Sequence, residues 1–314
     1  MTNADQAARG ENLMDAQPAH VDRPPVILTD TACDLPPAAF HDYPIHVIPQ
    51  KIFFGEETFR SGIDMTVDQF FERLAQSSTL PTTQPATEEE FAQKYTELGA
   101  DGTPILSIHI STGLSEMTLI ARRAARQCSS QVITIWDSKM ASGGMGLQVL
   151  TAARAIKAGY TIDEIIPLLE QTYHAGNMYF CLNDLNYLYR GGRIGRVSYH
   201  VAQTLRLKPI ITVSKAGQTT GTYVTGAERP YTMQAAVDAL VRHVAIDITP
   251  HSKMRAMILY SGKAVTELVK QLDEKLRDRF DCVYLEILPI APVLSVHTGP
   301  GALGIAYVVG DWPV

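Results

Sequence analysis

The sequence predicts an α/β protein of two domains, the first built on a mostly parallel sheet with flanking helices, the second on a mixed sheet with an antiparallel component. Three observations predict it. Strand-like runs at 26–28 (VIL), 105–110 (ILSIHI) and 132–136 (VITIW) alternate with helical patterns in the first half, as in βαβ units. After Gly159-Tyr160 the texture changes, and helical stretches precede runs at 209–214 (PIITVS), 219–225, 257–260 and 283–288. Between the first two of these, Lys215-Ala216-Gly217-Gln218 reads as a short turn and predicts a hairpin. The length, 314 residues, accommodates two domains. We place them at 24–165 and 166–314, behind a polar tail at 1–23 that is expected to be disordered.

Two helix starts are marked in the chain itself. Thr87 with Glu90, and Thr161 with Glu164, have the spacing of capping boxes, in which side chains satisfy the unpaired N–H groups of a first turn. Residues 116–127 read as a helix following the strand at 105–110. No internal repeat is visible.

Composition narrows the function classes. The chain is 46% hydrophobic and 19% charged, with 27 basic against 33 acidic residues and a net charge of −6. Such low charge excludes a disordered chain, and the acidic balance excludes a broad basic surface for nucleic acid. No run approaches the roughly 18–20 apolar residues of a membrane span, and the first residues lack the apolar segment of a signal peptide. Cys33, Cys128, Cys181 and Cys282 are widely separated and form no CxxC pair. We therefore expect a cytoplasmic protein with reduced thiols, no metal and no cofactor.

Several segments carry chemistry. Thr29-Asp30-Thr31-Ala32-Cys33-Asp34 follows a strand, where ligands of open α/β sheets collect; the plainer role for its aspartates is to hold a turn. In Leu80-Pro81-Thr82-Thr83-Gln84-Pro85, prolines at both ends restrain two hydroxyls that suit a carboxylate or phosphate oxygen, although an ordinary linker between helices reads the same way. Ser111-Thr112-Gly113-Leu114-Ser115 opens a helix, whose amino end favours an anion. Ser115 reads as an N-cap, and Ser111 as the better ligand contact. Ser142-Gly143-Gly144-Met145-Gly146 imitates a dinucleotide loop, but Val149 stands at the third glycine position, so close packing is the better role. Arg190, Arg193 and Arg196, spaced by glycines, make a local positive site suited to carboxylate or phosphate. His297-Thr298-Gly299-Pro300-Gly301 puts a histidine beside a hydroxyl in a Gly-Pro loop. The other histidines show no metal-ligand spacing.

Taken in order, TDTACDL (29–35), TTQP (82–85), ISTGLS (110–115), WDS (136–138), GGRIG (191–195), LKPIITVSKAG (207–217) and HTGPGALG (297–304) resemble the DegV family of bacterial lipid-binding proteins. The resemblance runs from about Val26 to Val309. It implies a two-domain DegV-like fold with one long-chain fatty acid in a buried tunnel between the domains. Similar proteins serve as the acyl-binding subunit of a bacterial fatty acid kinase, whose separate ATP-binding subunit phosphorylates the bound acid. By motif, the implied carboxylate contacts are Thr82, Ser111 and His297, with Thr83, Ser115 and Arg193 beside them. Arg229 falls where the resemblance suggests partner docking. In one place the chain departs from the family: Leu114-Ser115-Glu116-Met117 stands where Leu-Ser-Gly-Thr is usual, which puts a carboxylate near the expected anion site. Two other readings remain open at this point, a self-sufficient hydrolase or phosphotransferase using Asp30, Ser111 and His297, and a passive lipid carrier.

Overall fold

The computed structural model describes residues 23–193 and 207–314. The tail at 1–22 lies outside the described residues, as do residues 194–206 with Arg196. Strands β1 (Val26–Asp30), β2 (Ile45–Ile48), β3 (Lys51–Phe54), β4 (Glu57–Arg60), β5 (Thr82–Gln84), β6 (Ile105–His109) and β7 (Ile133–Asp137) lie in the first half. The second half carries β8 (Gly176–Cys181), β9 (Ile211–Val213), β10 (Tyr223–Thr225), β11 (Lys253–Tyr260), β12 (Asp281–Pro289) and β13 (Leu303–Val309). The helices are α1 (Ala39–Asp42), α2 (Val67–Gln76), α3 (Glu88–Leu98), α4 (Met117–Gln127), α5 (Ser142–Lys157), α6 (Ile162–Ala175), α7 (Asn186–Arg190), α8 (Met233–Asp247), α9 (Thr266–Arg279) and α10 (Pro292–Thr298).

The first sheet, in the order β2-β1-β6-β7, is parallel throughout. β6 is buried along its whole length, as expected of a strand covered on both faces. The second sheet has the order β10-β9-β8-β13-β11-β12 and is antiparallel except for β11 and β12. The expected hairpin joins β9 to β10, but its second strand begins at Tyr223, because Gly217–Thr219 forms a 3-10 turn. A third sheet, β4-β3-β5, contains the segment expected as a linker: Thr83 pairs with Ile52 and Thr82 with Phe53.

Both capping boxes form. Glu90 Oε2 accepts from Thr87 N at 2.7 Å and Thr87 Oγ1 accepts from Glu90 N at 3.2 Å, while Glu164 Oε2 accepts from Thr161 N at 2.9 Å. A third, Thr66 with Gln69, starts α2. Each contributes about 1 kcal/mol.

Helix α5 joins the halves. It is buried almost throughout, packing on β1 on one side and on β11 and β13 on the other. Gly143 and Gly146 permit this approach: a Cβ at Gly143 would stand 2.8 Å from Leu259 and one at Gly146 2.5 Å from the Asp34 carbonyl. Residues 165 and 166 lie within α6, which packs on α5, β8 and β13.

Candidate functional site: an apolar cavity with a polar end

A concave, mostly apolar cavity opens beside α5, the usual character of a small-molecule site. Its walls come from every layer: Ile110 and Leu114 beyond β6, Met178 and Phe180 of β8, Leu259 of β11, and Val293 and Leu294 of α10. The lining is mostly apolar, and apart from the Tyr223 phenol the polar side chains reaching it fall into two groups.

The first group is Thr83, Ser115, Arg193, His297 and Thr298. Strand β5 holds Thr83 and helix α10 holds His297, bringing Thr83 Oγ1 to 3.0 Å from His297 Nε2. Gly299 ends α10 at φ +65 with the Tyr187 ring where a side chain would stand. Gly191 leaves room for the imidazole, since its Cβ would lie 2.2 Å from His297 Nδ1. His297 Nδ1 and Thr298 Oγ1 have no hydrogen-bond partner among the described residues. Burial, aided by the Arg193 charge, holds the imidazole down at about 4, so it is neutral near pH 7. Arg193 is steadied by the Gly191 carbonyl, 2.6 Å from Nη1. A cation, a neutral imidazole with an unused nitrogen and three hydroxyls can together receive one carboxylate without a metal.

The structure distributes the sequence candidates unevenly. Thr83, Ser115, Arg193 and His297 meet at the cavity, whereas Thr82 is exposed and does not line it. Ser111 is buried, and its hydroxyl donates to the Gly221 carbonyl at 2.9 Å, tying the β6–α4 loop to the β9–β10 hairpin. Glu116 is exposed and outside the lining, so its charge faces away from the cavity. Arg229 is exposed beyond β10, also outside the lining. The Ser142-Gly143-Gly144-Met145-Gly146 run opens α5, where its glycines serve packing.

Asp30, Ser111 and His297 do not assemble. Asp30 Oδ1 accepts from Ala32 N (2.9 Å) and Gln50 Nε2 (3.1 Å), and Oδ2 from His109 Nδ1 (3.0 Å) and Ile110 N (3.0 Å). His109 Nε2 stands 2.7 Å from Ser107 Oγ. This serine–histidine–aspartate series is fully buried, and Ser107 and His109 are not among the lining residues.

Gln50 and Ser142 form the second polar group of the lining, and sequence reasoning missed both as site residues. The signal available was a lone glutamine between two apolar strand-like runs, HVIPQKIFF.

Asp34 stands behind Ser142, accepting from its hydroxyl at 2.5 Å and from Ala291 N at 2.8 Å. Burial pushes its carboxyl up from 3.8 to about 7, against those two hydrogen bonds. The folded chain thus holds the Asp34 proton more tightly than the unfolded one. That contribution to stability is full below pH 3.8 and lost as pH rises through 7. His297 has the opposite sign: its contribution is full above 6.5 and lost as pH falls through 4. Between these limits the two largely cancel. Asp34→Asn removes the first alone, so urea denaturation should show the variant losing on the order of 2 kcal/mol more than wild type between pH 7 and pH 4.5. Equal pH profiles for the two proteins would contradict this.

Among the described residues, no helix is long and apolar enough to cross a membrane, and no group of three His, Cys, Asp or Glu side chains is placed to hold a metal ion.

Comparison with known proteins gives one consistent result. The profile of the DegV family, described as uncharacterised proteins, matches residues 25–310. A DegV domain-containing protein of Deinococcus radiodurans is 30% identical over 287 residues, covering 91% of this chain and 96% of its own. Protein DegV of Bacillus subtilis is 28% identical over 282 residues, covering 90% and 98%. Its crystal structure, reported as that of a fatty acid binding protein, superposes with a TM-score of 0.78 at 27% identity, covering 92% of this chain and 100% of that one. A DegV family protein from Thermus thermophilus, described by its fatty acid binding, gives 0.81 at 25% identity, covering 91% and 99%. Matched along nearly all its length in both sequence and fold, the chain belongs to the DegV family.

Proposed function

We propose that the protein binds one long-chain fatty acid in the cavity beside α5, its carboxylate at Thr83, Ser115, Arg193 and His297, and presents that carboxylate to a separate ATP-binding kinase subunit for conversion to an acyl phosphate. The observation that carries the reading is the pairing of an apolar cavity with one polar cluster, Thr83, Ser115, His297 and Thr298, beside the Arg193 cation. Apolar walls suit the tail: at about 0.8 kcal/mol per methylene, a sixteen-carbon chain gains on the order of 10 kcal/mol before ordering costs. The head needs donors, because an unpaired charge in apolar surroundings is very costly. The tail then supplies affinity and the polar cluster supplies register. The fatty acid binding of the Bacillus and Thermus proteins supports the same reading.

The hydrolase alternative finds no support in the geometry, since Asp30 and Ser111 are committed to partners away from His297. The test is to load the protein with radiolabelled palmitate and add the kinase subunit, ATP, magnesium and hydroxylamine. Trapping of an acyl hydroxamate that forms only with both proteins present is the expected outcome. Bound palmitate that the kinase leaves untouched would instead favour a passive carrier.

A further inference from the structure

Gln50 lines the cavity yet stands apart from the carboxylate cluster. It is 5% exposed, and its backbone N–H donates to Thr31 Oγ1 at 3.0 Å. Chemistry fixes which way its amide points. Asp30, as a carboxylate, only accepts, and it already receives two backbone N–H groups and His109. The Gln50 atom 3.1 Å from Asp30 Oδ1 is therefore the NH2 group. Behind it the series continues: His109 Nδ1 lies 3.0 Å from Asp30 Oδ2, its Nε2 2.7 Å from the Ser107 hydroxyl, and that hydroxyl 2.9 Å from the Tyr95 hydroxyl. This relay leaves the Gln50 amide carbonyl for the cavity.

Ser142 stands across the same turn. Its N–H donates to the Ala32 carbonyl at 2.8 Å, and above pH 7, with Asp34 ionised, its hydroxyl hydrogen is committed to Asp34. The wall beside the Asp30–Asp34 turn thus presents two oxygen acceptors, one amide and one hydroxyl. Methylenes packed there leave both unpaired, and a carboxylate would be repelled. A hydroxyl group donates to one and fits beside the other.

We propose that the cavity is specialised for a long-chain fatty acid bearing a hydroxyl on its chain, read by Gln50 Oε1 with Ser142 Oγ beside it. The inference rests on the fatty-acid reading above. Register places the hydroxyl. Thr83 pairs with Ile52, and Gln50, just before β3, precedes Ile52 by two residues, a span of at most roughly 7 Å of chain. The favoured position is therefore near the carboxyl end, as in a 3-hydroxy acid, and not at the methyl end.

Delipidated protein titrated at pH 8 with palmitic, 3-hydroxypalmitic and 16-hydroxypalmitic acids tests this. The 3-hydroxy acid should bind about tenfold more tightly than palmitate, and the 16-hydroxy acid should show no such gain. Gln50→Leu should erase the preference by strengthening palmitate binding and weakening that of the 3-hydroxy acid. Equal affinities for all three acids in the wild type, or a preference that survives in Gln50→Leu, would overturn the inference while leaving the fatty-acid reading intact. Failure of all three to bind would overturn both. The wild-type comparison decides the matter even where the variant does not fold.

Discussion

Asp30→Ala is expected to cost about 3–5 kcal/mol of folding stability, the largest effect of any single substitution considered. The carboxylate is 1% exposed and serves four donors, two of them backbone N–H groups at the ends of the β1 and β6 strands. Deleting it orphans all four in a place water does not reach, and it unmoors His109, Ser107 and Tyr95 in sequence. Asp30→Asn keeps the volume but places a donor against donors, so it should recover only part of the loss. Urea denaturation of lipid-free protein measures both. A loss below 1 kcal/mol for Asp30→Ala would show that the relay contributes little to the fold.

His297→Ala should weaken fatty acid binding by roughly 10- to 100-fold, the range of one charge-assisted hydrogen bond lost at a buried head group. The side chain is held against Thr83 and offers an unused Nδ1, so its removal takes one direct contact and loosens a second. Stability should change little, because the imidazole borders a cavity and not a packed interior. Ser111→Ala separates the structure from the motif. With the Ser111 hydroxyl donating to Gly221 and outside the lining, this variant should bind within about threefold of wild type and lose about 1 kcal/mol of stability. Displacement of a fluorescent fatty acid reads the affinities of both. Equal losses in the two variants would place Ser111 at the carboxylate after all.

What the sequence reveals and what it hides divide along one physical line, the range of the interactions. Threonine capping boxes at 87 and 161 are local, and both were legible from spacing alone. Of the parallel sheet, β1, β6 and β7 were legible too, because apolar runs between helical patterns are a short-range signal, whereas β2 (Ile45–Ile48) was not. The Thr82–Gln84 strand was not, since its partner lies some thirty residues earlier in β3 and prolines at both ends resemble a linker. The contrast between Ser111 and Ser115 has the same origin. Local logic assigns Ser115 to the helix cap and frees Ser111 for a ligand, but a hairpin carbonyl a hundred residues away takes the Ser111 proton. Ser115 is left at the cavity. Gln50 and Ser142 acquire meaning only through Asp30 and Asp34, which orient them across the fold.

The content of the cavity decides the proposed function. The most direct measurement is mass spectrometry of the full chain purified from the cells that make it, first intact under native conditions and then after denaturation to release what is bound. One fatty acid per chain is expected, lost on denaturation and regained when the stripped protein is offered palmitate or oleate. A chain that carries no lipid and takes up neither acid would contradict it.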